Sequence, residues 1–566
     1  MYTATSGTRS LGGEFDTPCV TFPRTCCCSG MRGIITIVLM GLSICIARTQ
    51  TLWSGQLNSY AAVTAMREGP CATTLTIDPA IPLPSGTRIL IVQMQGATFT
   101  PNEDERIDGL PDLGLAGRFT IATVDVTNGT LVTLRERITI PFDVISGRVQ
   151  IVTIAQAVDA RLIGPITAPP WDGRTGGIVA IEVERALTLS DHIDVAGAGF
   201  RGARLTWGIV ACHSQEITAP IGSSTASIKG EGVAIVASDA ASGVGRAANG
   251  GGGGASTNTG GGGGGGGANG GRGGDQWSGC GPMALRGGRG GAGVTDATIP
   301  RLLLGGGGGA GHQNNAAGTA GAGGGGAIYL RCALLMGSGG DLRASGASVT
   351  DQATIDGAGG GGGGGSIVLD VANVASTVTV DLRGGNGGIV NTNQPHGPGG
   401  GGGGGSLWTT TPTLPSALII NRAGGRAGVV TTMPVGSDRS HGAHDGAEGV
   451  VHTGRVLPID AIAPPAIAQL RDTVVCRGAE LVVRAHIRGG AQPLEIRWTD
   501  ATGKVLGTDS TLRSVITVST RLTVRVTDAN GCTVQETMDV VVMDPARISV
   551  NAIDLGTRFT LPIQLD

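Results

Sequence analysis

From residue 74 onward the chain is a succession of short apolar and β-branched runs, broken by turn residues, and no stretch keeps a helical period beyond about two turns. In the first part these runs are Leu75-Thr76-Ile77, Ile89 to Val92, Phe119 to Val124, Leu131 to Leu134 and Val149 to Val152, with Ser85-Gly86 and Asn128-Gly129 as turns. They predict an all-β domain over 50–175, with a long acidic loop between Pro101 and Pro111. A different pattern follows. Four segments share one grammar of glycines, strand, turn, second strand and glycines again. They begin at Gly176-Gly177, Gly325-Gly326, Gly364-Gly365 and Gly404-Gly405. Asp194, Asp341, Asp381 and Asn421 stand at matching places near the ends of the second strands. A grammar repeated with variable inserts predicts stacked strand pairs, none able to bury a core alone, over 176–455. Recurrent Asp at strand ends reads as turn capping rather than as one active site.

Glycine runs separate the pairs: Gly250 to Gly254, Gly260 to Gly267, Gly305 to Gly309, Gly359 to Gly365 and Gly399 to Gly405. Each Gly loses roughly 0.5–1 kcal/mol more than Ala on ordering, so the runs read either as flexible linkers or as extended polyglycine segments packed side by side. Their regular abutment on the strand repeats favours packing. A third pattern occupies 458–545: glycine falls, and strands are predicted at Glu480 to Ile487, Leu494 to Trp498, Leu512 to Val518, Leu522 to Thr527 and Asp539 to Val542. This predicts a small β-sandwich, and residues 546–566 read as the start of a further β segment in a truncated chain.

Composition narrows the function. Of 566 residues, 103 are Gly and 26 Pro, without the G-X-Y period of collagen, and the net charge of −3 offers no basic field for nucleic acid. Lys229 and Lys504 are the only lysines and neither precedes Ser or Thr, so there is no Walker A lysine. Met31 to Ala47 carries one basic residue, an apolar run too short to span a bilayer and a small residue at its end, the pattern of a secretory signal peptide. Residues 1–30 have no assignable pattern, and Met31 is read as the start. The mature chain would hold Cys71, Cys212, Cys280, Cys332, Cys476 and Cys532, and an exported chain permits disulfides.

Val526-Thr527-Asp528-Ala529-Asn530-Gly531-Cys532, preceded by Cys476, Gly489 to Pro493 and Trp498, resembles the PKD/Ig-like surface repeats, SprB type included, of large secreted proteins of Bacteroidota and related phyla. The resemblance covers about 85 residues. It implies a β-sandwich with Trp498 in its core and a Cys476–Cys532 disulfide. Trp498-Thr499-Asp500 lacks the Phe-Gly-Asp-Gly of the PKD pattern, and the Cys-Trp-Cys spacing departs from antibody domains. The amino half, through Ile91 to Ala97 and Gly199 to Gly202, is similar to leader regions that precede glycine-rich repeats in exported proteins of the same bacteria.

Candidate chemistry is sparse. Gly270 to Trp277 matches a single calcium nonapeptide, which needs tandem copies to hold an ion. His441, His444, Asp445, Asp438 and His452 form a His-rich cluster that reads as a solvated polar loop, as do Glu103, Asp104, Glu105, Asp108 and Asp112. No Gly-x-Ser-x-Gly or HExxH occurs. The arginines beside the glycine runs, Arg272, Arg286, Arg289, Arg343, Arg383, Arg422 and Arg426, read chiefly as donors to carbonyls. Among Trp171, Trp207, Trp277 and Trp408, the candidate glycan contacts are Trp171 and Trp408, against burial as the alternative. The expectation is a non-enzymatic, exported surface protein with no catalytic residue, metal or cofactor and no transmembrane span in the mature chain. Its partners would be glycans or other surface proteins. The alternative is a glycan-binding portion of a larger polysaccharide-acting enzyme.

Overall fold

The computed structural model describes residues 50–99, 110, 112–281, 286–294, 298–458 and 460–544. The signal-like segment, the acidic residues 103–105 and 108, and the last segment, 546–566, lie outside the described residues. What is described is all-β apart from one 3-10 turn at Ser278–Cys280.

Strand β1 (Thr51–Gly55) leads into β2 (Tyr60–Glu68), β3 (Thr73–Asp78), β4 (Arg88–Gln93), β5 (Phe119–Asn128), β6 (Leu131–Leu134), the short β7 (Arg137–Ile138) and β8 (Val149–Thr153). Six of these close an antiparallel barrel in the order β2-β3-β6-β5-β4-β8. Alternate residues point inward, so Val63, Leu75, Ile77, Ile89, Ile91, Val124, Val132 and Ile151 share one core.

The repeat grammar becomes parallel stacking. Strand β9 (Ala155–Thr167) is followed by the pairs β10/β11 (Ile178–Leu189, Ile193–Asp194), β12/β13 (Ala327–Gly337, Asp341–Arg343), β14/β15 (Ser366–Val374, Val378–Asp381) and β16/β17 (Ser406–Thr409, Leu418–Asn421), then by β18 (Val450–His452). First strands stack on first strands and second on second, and β9 joins the two rows, giving the order β17-β15-β13-β11-β9-β10-β12-β14-β16-β18 with β1 on β9. The rows face each other across one core, through Ile181, Leu330 and Leu369 on one side and Ile193, Leu342 and Val380 on the other. The opposite face of the first row, through Ile178, Tyr329, Val368 and Trp408, is covered by the barrel residues Leu90, Val92 and Phe119. A strand buried on both faces needs a continuous apolar run, which explains the runs at Ile178 to Ile181 and Ala327 to Leu330.

The second-strand polar positions are not all in line. Asp194 pairs with Arg343, Arg343 with Asp381, and Asp381 with Asn421, whereas Asp341 pairs with Thr379. The two-residue offset keeps the apolar face inward, because side chains alternate with period two. It also sets Arg343 between Asp341 at 3.0 Å and Asp194 at 3.7 Å.

The glycine runs are packed and buried. Along Gly260 to Gly265, successive amides donate to Gly274, Ala358, Gly252, Gly271, Gly361 and Asn249. Every third residue therefore bonds to the same neighbouring run, the period of a threefold extended helix of the polyproline II kind. Gly399 to Gly404 repeat the scheme, with Gly388, Gly261, His444, Gly385, Gly264 and Ala447 as acceptors. Each inner run is tied to three neighbours at once, some parallel and some antiparallel. Bonding to carbonyls on three sides at this spacing leaves no room for side chains: a Cβ on Gly362 would lie 1.9 Å from the Gly323 oxygen.

The remaining strands are β19 (Ala461–Ile462), β20 (Ala466–Ile467), β21 (Thr473–Cys476), β22 (Glu480–Arg484), β23 (Ile487–Arg488), β24 (Glu495–Thr499), β25 (Val505–Gly507), β26 (Thr511–Val515), β27 (Thr520–Thr527) and β28 (Thr533–Met543). A five-stranded sheet, β21-β28-β27-β24-β25, and the pair β22-β26 enclose Trp498, which is fully buried and donates from Nε1 to the Asp509 carbonyl at 2.9 Å. This module is tied to the barrel by β19 pairing with β7, by Arg118–Asp460 at 3.0 Å, and by a disulfide.

That disulfide corrects the pairing expected from the sequence. Cys532 is bonded to Cys71, not to Cys476, which is exposed and free. The reason is register. Cys476 lies opposite Met543 at the far end of β28, whereas Cys532 precedes its first residue. The two are thus separated by most of that strand, roughly 30–35 Å at ~3.3 Å per residue, while a disulfide needs Cα atoms within about 7 Å. A second disulfide joins Cys212 to Cys280.

Candidate ligand-binding site

The direction of the glycine runs decides what their connections do. Because Gly260, Gly357 and Gly397 start parallel runs while Ala310 and Gly274 end antiparallel ones, the inserts near residues 210, 257, 277, 314, 355, 393 and 432 meet at one end of the bundle. Between them lies a cavity of about 650 Å³. Thr257, Asn258, Thr392 and His396 are its buried residues, and Val210, Asn315, Ile355, Asn391, Asn393, Gln394 and Thr432 its exposed ones, with Asn314 and Trp277 between. The lining residues include no Asp, Glu, Lys or Arg.

Loop chemistry fixes this wall. Trp277 donates from Nε1 to Gln394 Oε1 at 2.7 Å and lies nearly parallel to the His396 ring, with centroids 6.3 Å apart. The His396 Nδ1 meets the Gln394 carbonyl at 2.6 Å. Asp356, fully buried, accepts from the backbone amides of Asn314, Asn315 and Ala317 and so orders that loop. Gln276 binds His213 and Ser256, and the Cys212–Cys280 bond closes the same corner. Four of the six described non-Gly residues with positive φ lie in these loops: His213, Asn258, Ala316 and His441. Strain of this kind persists only where the surroundings over-determine it.

Asn258 is one of the buried residues of the lining. Its backbone amide donates to His312 Nδ1 at 3.2 Å and its Nδ2 to the Ile355 carbonyl at 2.9 Å. Its Oδ1 has no partner among the described residues although the residue is 3% exposed. Burial pushes the His312 pKa down to about 4, against the opposing pull of Asp356, so the ring is neutral and its Nδ1 accepts. Burial likewise lowers the His396 pKa.

The residues singled out from sequence fall elsewhere. Trp171 and Trp408 are 2% and 1% exposed, so neither can form a sugar platform. Trp171 donates to Glu231 at 3.1 Å, and Trp408 stacks on His452 at 4.0 Å. Of the other two tryptophans, Trp207 is exposed and Trp277 lines the cavity. The His-rich stretch is dispersed: His441 Nε2 meets the Gln276 carbonyl while His452 packs on Trp408. Among the described residues no group of three or more His, Cys, Asp or Glu is placed to hold a metal ion. Asp275 of the nonapeptide-like stretch is engaged by Arg272 at 3.3 Å and by the Arg286 amide. Arg272 and Arg422 donate to the Gly442 and Gly449 carbonyls, and Arg383 pairs with Asp381 at 2.7 Å. The cavity amides carried no sequence signal, being scattered over three inserts at Asn258, Asn314-Asn315 and Asn391 to Gln394; only Trp277 stood out.

No known protein family and no curated protein matches this chain. No helix among the described residues is long and apolar enough to cross a membrane.

Proposed function

We propose that this chain is an exported, non-enzymatic adhesion and structural protein of a cell surface or extracellular matrix. The glycine bundle acts as a stiff spacer, the loop cavity at its end meets the partner, and the module after residue 460 is a PKD/Ig-like stalk. The observation that carries this reading is the triple bonding of each inner glycine run. A lattice of that kind holds seven inserts in fixed relation, which suits presentation of a surface rather than a moving lid. Two disulfides suit an oxidising compartment.

The test is adhesion with localisation. Beads coated with the full chain should adhere to intact cells or matrix, and antibody should reach the native protein on unpermeabilised cells. Strictly intracellular staining, or turnover of a polysaccharide by the chain alone, overturns the reading. The uncharged amide wall also suits a second reading, a glycan-binding part of a larger polysaccharide-acting enzyme, which the mass and activity of the full gene product would reveal.

A further inference from the structure

We infer that the loop cavity binds the neutral, hydroxyl-rich end of an oligosaccharide, with Asn258 as its buried anchor; this deepens the adhesion reading and rests on it. The first ground is chemical. A cavity of about 650 Å³ lies within the ~300–1,000 Å³ typical of small-ligand sites, and is roomier than one sugar ring requires. Its polar lining is amides, hydroxyls and one imidazole, with no formal charge to select a carboxylate, sulfate or ammonium group. Asn and Gln amides offer a donor and an acceptor in one plane, which matches neighbouring hydroxyls that each both give and accept.

The second ground is the orphaned acceptor. Asn258 Oδ1 is buried without a donor, a state that costs about 1–3 kcal/mol, while Nδ2 of the same amide is held by Ile355. The side chain cannot turn to satisfy Oδ1 without losing that bond. Asn258 is one of the residues lining the cavity, so a ligand hydroxyl bound there would supply the missing donor. The third ground is order. Asn258 is held at φ +61°, and the facing Trp277 ring is pinned by Gln394, so the site is formed before the ligand arrives. Trp277, Ile355 and Val210 contribute the apolar part of the lining, which the C–H groups of a sugar would meet.

The experiment uses the full chain on an array of neutral, sulfated, carboxylated and peptide ligands, followed by calorimetry with the best neutral oligosaccharide. Neutral sugars should bind, with affinity unchanged between about 0.05 and 0.5 M salt, since no ion pair is screened. Asn258→Gly keeps the backbone conformation and removes the acceptor together with the Nδ2 bond to Ile355, so it should weaken binding about tenfold or more while the melting temperature falls only modestly. Gln394→Ala, at an exposed position, provides a second variant with the same expectation. Binding confined to acidic sugars or to peptides overturns the inference, as does neutral-sugar binding that both variants retain. If beads still adhere to cells but no sugar binds, the inference fails and the adhesion reading stands. If adhesion is absent as well, both fail.

Discussion

Cys71, between the second and third strands of the barrel, is covalently joined to Cys532, just ahead of the last strand of the C-terminal module, across 461 residues of chain. The bond closes the largest covalent loop in the described chain and spans two modules that otherwise meet through β7 with β19 and Arg118 with Asp460. It fixes the C-terminal module to the barrel, which a bond inside that module would not do.

Loss of this bond should therefore act on stability. Cys71→Ser is expected to lower unfolding free energy by roughly 3–5 kcal/mol, the upper range for closing a long loop. Cys476→Ser should change it little, because that thiol is exposed and unbonded. Thermal unfolding of both variants, with peptide mapping under non-reducing conditions, checks the pairing. A Cys476–Cys532 peptide would refute it.

Substitutions within the bundle should depend on the contact each Cβ would meet. Gly362→Ala places a Cβ 1.9 Å from the Gly323 oxygen, while the reverse partner, Gly323→Ala, meets its nearest atom, the Gly197 oxygen, at 3.1 Å. Overpacking of the first kind is expected to cost about 2–4 kcal/mol and the second clearly less. Denaturant unfolding of the two variants is the measurement, and equal neutrality would mean that the runs are linkers.

Acid should weaken the candidate site through His312. Its folded pKa is depressed to about 4 from an ordinary value near 6.5, so the unfolded chain takes up the proton first. The stability from the neutral ring is present above about pH 6.5 and is lost as pH falls toward 4, up to roughly 3 kcal/mol. Protonation also removes the acceptor for the Asn258 amide. His312→Gln should flatten the melting temperature across that range relative to the parent.

Lys229 should act in the opposite part of the pH scale. It is 5% exposed, its Nζ has no partner among the described residues, and burial with the nearby charge of Arg289 lowers its pKa to about 8. The charged amine is a burden below pH 8 that fades as pH rises toward the ordinary value of ~10.4. Lys229→Met should raise stability at pH 7 by up to roughly 3 kcal/mol and remove this rise with pH. Melting curves of parent and variant between pH 7 and 10 compare them, and a destabilised variant at pH 7 would contradict the account.

Much of the architecture was legible along the chain. Leu75-Thr76-Ile77 and the run Ile89 to Val92 announce strands of an all-β domain, because burial acts on each residue where it stands, and the family resemblance implies Trp498 in a core. Closure of those strands into a barrel and the covering of β10 on both faces came from the tertiary structure. Register was not legible in the same way. Asp341 and Asp381 share a local Asp-Leu-Arg string, yet Arg343 is the residue opposite Asp381, since a shift of two leaves the apolar face unchanged.

What the linear order of residues settled was the all-β character and the positions of the glycine runs, for those follow from local patterning. That the runs pack instead of serving as linkers was only favoured by their abutment on the strand repeats. The tertiary structure alone decided which sulfur Cys532 meets, which tryptophans are enclosed, and that Asn258, Trp277 and Gln394 share one cavity. Those relations join positions tens to hundreds of residues apart. They depend on the direction in which each glycine run crosses the bundle, and a run of identical residues carries no mark of its direction.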